Sequence, residues 1–123
     1  MYVETDFLLA LVKDEDWLGE AAETVYREHE SALWTSRFTL VELLLVAYRE
    51  GLDPERVVAA AADLVEVRGD VDGVVAAATY VADHGFTPFD ALHLVEADGD
   101  TIVSSDESYD AVADRLDLAA VED

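Results

Sequence analysis

Thr87-Pro88-Phe89-Asp90-Ala91-Leu92-His93-Leu94-Val95-Glu96-Ala97, followed closely by Thr101-Ile102-Val103-Ser104-Ser105-Asp106, is the stretch whose reading decides the fold. Its first half predicts a helix, because Thr87 can cap, Pro88 suits the first helical position and strong helix formers follow Asp90. Asp90 then falls in the first turn. The second half predicts a short buried strand that ends in small polar residues, so Asp106 emerges at the carboxyl end of a sheet strand. Two acids from separate elements are thereby brought towards one place. Thr87-x-x-Asp90 also has the spacing of a capping box, in which the acid reaches back to the capping residue and favours the helix dipole. That reading gives Asp90 no chemistry, and on sequence alone both stand.

Outward from this stretch, Met1 to Asp6 predicts a strand and Phe7 to Val12 a helix. Glu4 and Asp6 lie at that strand's end, where ligands of parallel sheets collect; the alternative is that Asp6 caps the helix and Glu4 is solvated. Asp14 to Glu30 predicts an amphipathic helix with Trp17, Leu18, Ala21, Ala22, Val25 and Tyr26 buried. Ser31 to Thr35 predicts a strand, and Ser36 to Glu50 a helix ended by Gly51 and Pro54. Phe38, Leu40, Val41, Leu43, Leu44, Leu45, Val46 and Ala47 leave that helix almost no polar face, so core burial or a homodimer contact is expected. Glu42 sits among them, and an ionised carboxylate there needs a partner or a metal. A capping box with Thr39 is the bland alternative. Helices are also predicted over Pro54 to Val65, Asp70 to Asp83 and Ser108 to Leu116, with Gly85 and Gly99 as stops and an edge strand over Leu118 to Val121. Short strands alternating with helices imply an open parallel α/β sheet, in a single domain over residues 1–123.

Twenty-nine acids face seven bases, a net charge of −22, and Lys13 is the sole lysine. The acids are dispersed between periodic apolar positions rather than blocked together, and 52% hydrophobic residues supply a core, so this is a folded acidic surface and not a disordered tail. Acid excess with lysine nearly absent suggests adaptation to very high salt, where self-repulsion is screened over about 3 Å at 1 M. No cysteine is present, which removes disulfides, thiolate zinc sites and cysteine nucleophiles. His29, His84 and His93 are too scattered for a zinc signature, although His93 lies three positions from Asp90. The apolar runs are too short to span a bilayer, so no membrane association and a cytoplasmic location are expected.

Glu4 or Asp6, Glu42, Asp90 and Asp106 would bring carboxylates from four segments to one crevice, where they repel unless a cation joins them. Oxygen-only ligands favour Mg2+ or Mn2+, ions that typically serve phosphate-ester chemistry. Here the chain resembles the PIN domain family, and particularly the VapC-type toxin ribonucleases. The resemblance runs over essentially the whole chain and rests on Tyr2-Val3-Glu4-Thr5-Asp6-Phe7-Leu8-Leu9-Ala10-Leu11, Glu42, Thr87-Pro88-Phe89-Asp90-Ala91-Leu92-His93 and Val103-Ser104-Ser105-Asp106. It implies a three-layer PIN-like α/β fold, a small parallel sheet flanked by helices, that hydrolyses RNA with magnesium or manganese and has a cognate antitoxin protein. Carried over by position, Glu42, Asp90 and Asp106 match acidic family positions and Ser104 a small hydroxyl residue. Glu4 stands where the family usually has aspartate, and Asp6 where it often has asparagine or serine. Either can therefore be the first metal ligand.

RNA-binding domains carry basic patches, and none can be drawn from this sequence. Metal-mediated contact and a few arginines such as Arg37 would have to hold the substrate. Two other functions compete: a PIN-like domain without catalysis that acts as an acidic interaction module, and a receiver-type phospho-accepting domain. The latter needs a lysine after a late strand, which a chain whose only lysine is Lys13 lacks.

Overall fold

The computed structural model describes residues 1–121; the last two positions of the domain expected over 1–123 lie outside that range. The element order is α1 (Thr5–Val12), α2 (Gly19–His29), β1 (Trp34–Ser36), α3 (Arg37–Glu50), α4 (Pro54–Leu64), β2 (Glu66–Arg68), α5 (Val71–His84), α6 (Pro88–Ala97), β3 (Ile102–Ser104) and β4 (Arg115–Asp117). The fold is mostly helical with small parallel strands, the expected α/β class. β1 pairs in parallel with β2, Ser36 opposite Arg68, and β3 with β4, Ser104 opposite Asp117. The expected amino-terminal strand is reduced to one parallel bridge, Tyr2 to Trp34, because α1 already begins at Thr5.

α3 is the centre of the core. Leu40, Leu43, Leu44 and Ala47, spaced three and four apart, are fully buried against Val57, Val58 and Ala61 of α4, Val74, Ala77 and Ala78 of α5 and Leu8 of α1. Each of those leucines contributes roughly 1.5 to 3 kcal/mol through removal from water. Asp53 and Asp70 cap α4 and α5 by accepting backbone N–H bonds, and Gly51 and Gly85 close α3 and α5 at φ +71°, as their chemistry predicts.

Four expectations are corrected. Trp17 is 89% exposed rather than core: α2 starts at Gly19, and Asp16 accepts the Leu18 N–H at 2.9 Å in a turn that aims Trp17 outward. Trp17→Ala should accordingly shift stability by no more than about 0.5 kcal/mol in a thermal melt; a loss of several would put Trp17 back in the core. β2 was not expected, since Glu66-Val67-Arg68 is too short for its alternation to stand out. Ser108 to Leu116 is not one helix, because a 3-10 turn over Glu107–Ala111 gives way to β4. Leu118 to Ala120 is another 3-10 turn, not an edge strand.

Candidate active site

α6 and the end of β3 together shape a cleft of about 610 Å³ that contains Asp90, His93, Glu96, Ser104, Asp106 and Tyr109. Asp90 enters it from the first turn of α6. Thr87 occupies the cap position but its side chain makes no capping bond. Instead the Asp90 Oδ1 accepts a hydrogen bond from the Tyr109 hydroxyl at 3.2 Å. Tyr109 is buried, stacked on Phe86 with ring centres 6.1 Å apart. Burial, and then the neighbouring Asp90 charge, push its hydroxyl up to about 12, so it remains a donor across the neutral range.

Asp106 follows β3 and opens the 3-10 turn. Its backbone N–H donates to Ser104 Oγ at 2.9 Å, and its Oδ1 accepts the Ser108 N–H at 2.9 Å. These bonds hold the carboxylate at the cleft mouth. Hydrogen bonds from the Ser108 side chain and backbone, helped by Arg115, hold Asp106 below the usual carboxylate range, so it is a fixed negative charge. Arg115, its side chain only 6% exposed, donates to the Ser104 carbonyl and to Asp110, which ties β3 to β4 beneath the site.

The other candidate acids stand apart from this pair. Glu42 lies on the exposed side of α3, opposite the leucine stripe, so the expected penalty of burying it does not arise. It lines a neighbouring cleft of about 530 Å³ with Arg37, Phe38 and Phe89. His93 and Glu96 line both clefts, so the two adjoin. Thr39 is buried at the third helical position of α3 and its hydroxyl meets Tyr2, which excludes the capping-box reading of Glu42. Asp6 lies in the first turn of α1 and lines a shallow cavity with Leu18, Ala21 and Val25 of the α2 side. Glu4 is the exposed cap residue of α1 and makes no side-chain cap bond. Among the described residues no group of three or more His, Asp or Glu side chains is arranged to hold a metal ion.

What the Asp90–Asp106 pair offers is hard oxygen donors in an open cleft. Magnesium commonly takes one or two carboxylates and fills its remaining positions with water and substrate phosphate oxygens, so this pair fits such an ion. Tyr109 and Glu96 were not expected at the site. The spacing Asp106-x-x-Tyr109 is the signal for the first, since residues three apart in a 3-10 turn lie on one side of it, which brings Tyr109 into the same cleft as Asp106.

A family model for the PIN domain matches residues 1–115. No curated protein and no solved structure matches the chain.

Proposed function

The chain belongs to the PIN domain family, and from that premise we propose that it is a metal-dependent endoribonuclease that hydrolyses RNA phosphodiester bonds, the toxin of a toxin–antitoxin pair. PIN domains are typically metal-dependent nucleases. The observation that carries the reading is the meeting of Asp90 and Asp106 in one cleft, each oriented by a hydrogen bond from its own neighbour.

Asp90 and Asp106 would hold magnesium or manganese, which when bound activates water and offsets charge on the scissile phosphate. The chain's own residues do the rest. Tyr109 fixes the Asp90 carboxyl and keeps its proton, so it orients without competing as a base. Ser104 pins the turn that presents Asp106, a more specific role than the weak substrate contact expected of it. Glu42 lines the adjoining cleft across the shared His93 wall, and in this reading it would meet substrate or complete the acidic set. Glu4 and Asp6 remain candidates for the first ligand position.

The cognate antitoxin and a homodimer belong to the same proposal. Val103 and Leu116, register partners in β3 and β4, are 57% and 48% exposed, and with the exposed Leu118 they form an apolar strip suited to a second copy. α3 leaves Phe38 and Tyr48 exposed. No helix among the described residues is long and apolar enough to cross a membrane. A high-salt setting is the reading the −22 charge supports, and a cytoplasmic location belongs to the same proposal.

The separation of Glu42 and Asp6 from the Asp90 cleft favours one other reading, a PIN-like interaction module without catalysis. Incubation of purified protein with mixed RNA and manganese at molar salt decides between them. Cleavage that stops on chelation is the expected result, and cleavage that survives chelation would defeat the metal mechanism. No cleavage at all under metal would favour the module.

A further inference from the structure

Two of the six arginines gather at one corner beside three aromatic rings. The Arg68 guanidinium lies 3.8 Å from the centre of the Trp34 ring, and Tyr2 meets that ring edge-on at 4.9 Å. Arg37 lies over Phe38 at 5.7 Å, its aliphatic stem so close to Gly69 that a Cβ there would meet it at 3.2 Å. Gly69 itself has φ +114°, a conformation that favours glycine, and a Cβ there would also crowd the Arg37 stem. Tyr2 at 50% and Phe38 at 69% exposure face outward, Trp34 is half-buried under the Arg68 guanidinium, and Arg68 keeps 57% of its side chain in solvent. Trp34 opens β1, and Arg68, at the carboxyl end of β2, lies over it, while Arg37 follows directly on the carboxyl end of β1.

We propose that the Trp34–Arg68 stack, flanked by Tyr2 and the Arg37–Phe38 pair, is a platform on which the bases of single-stranded nucleic acid stack. A surface arginine–aromatic pair is by itself worth only about 0.5 to 1 kcal/mol of stability. That small gain does not account for a Phe38 ring 69% exposed beside an Arg68 plane that is itself more than half in solvent. The Tyr2 hydroxyl bonds to Ser36 at 2.9 Å and approaches Thr39 at 3.3 Å, which locks the ring before any ligand arrives. The rest of the chain is strongly acidic, and in high salt contacts to phosphate weaken steeply. Base stacking on aromatic and guanidinium planes does not depend on phosphate charge, so it is the term that survives under those conditions.

The platform also leads towards the acids. Arg37 and Phe38 line the cleft whose opposite wall, His93 and Glu96, is shared with the Asp90–Asp106 cleft. A strand stacked at Trp34 that runs on past Arg37 and Phe38 would enter the cleft that adjoins the acidic pair. This direction rests on the nuclease reading; the stacking test does not.

Trp17→Phe leaves Trp34 as the sole tryptophan. That protein, in chelator and molar potassium chloride, is titrated with a short single-stranded oligoribonucleotide, with the same strand in abasic form and with inorganic polyphosphate. Quenching by the base-containing strand alone is expected. Arg68→Lys, which keeps the charge and loses the planar stack, should weaken that binding about tenfold, with the melting temperature lowered by no more than a few degrees. Equal quenching by the abasic strand would overturn the proposal in favour of phosphate contact. It would also be overturned by no quenching at strand concentrations that are cleaved once manganese is added, which leaves the nuclease reading intact. Quenching with no cleavage under manganese would establish the platform and remove the nuclease.

Discussion

Asp90→Asn is expected to lower manganese-dependent RNA cleavage by at least about 100-fold, since loss of residues that merely support metal ligands already costs roughly 10- to 100-fold. The substitution keeps an oxygen for the Tyr109 hydroxyl and removes only the charge. A cap role predicts something different. Loss of a favourable acid–dipole interaction at the start of α6 would destabilise the protein by about 0.3 to 1 kcal/mol. If Asp90 and Asp106, which line the same cleft, share a metal there, loss of the Asp90 charge costs the metal-free protein nothing, so it should be at least as stable as the parent, and stabilisation by manganese should disappear. Melts of both proteins in chelator and in excess manganese, at constant high salt, separate the two. A mutant that is less stable yet keeps its manganese response and its cleavage would show that the acid serves only the helix.

Potassium chloride should raise the melting temperature by at least about 10 °C between 0.1 M and 2 M, on the order of 2 kcal/mol or more for a domain of this size. The cause is mutual repulsion of 29 acids against seven bases, which reaches about 10 Å in 0.1 M salt and about 3 Å in 1 M. Apart from the buried Arg115 with Asp110 and Asp117, the ion pairs are too exposed to offset it, and there are too few of them. Lys13–Glu50, Arg56–Asp14 and Arg68–Glu66 span 3.5 to 3.7 Å with partly or largely solvated partners, and such pairs contribute little. Circular dichroism across the series is the measurement. An unchanged melting temperature would remove the high-salt reading and with it the reason for salt-tolerant base stacking at Trp34.

Much of the architecture was legible because it is written in local chemistry. Pro88, Pro54, Asp53, Asp70, Gly51 and Gly85 mark helix ends through backbone geometry and unsatisfied N–H groups, which depend on neighbours in sequence. The helices from α3 to α6 accordingly fall within a residue or two of their expected bounds. The three-residue strands were harder. Glu66–Arg68 and Arg115–Asp117 gain their conformation from a parallel partner more than ten residues away, and nothing within three residues announces that partner.

The amino-acid sequence by itself determined the helices from α3 to α6 and the acidic character, and singled out Asp90 and Asp106 as candidates at the start of α6 and the end of β3. Tertiary structure alone decided their company. The pitch of α3 turns Glu42 outward while Leu40, Leu43 and Leu44 face in, and Asp6 is directed to the α2 side instead of the cleft. Tyr109 reaches Asp90 across nineteen residues, and Arg68 reaches Trp34 only because β1 and β2 lie side by side. Which side chains share a cleft is set by how elements pack, and packing is a property of the whole core rather than of any single stretch.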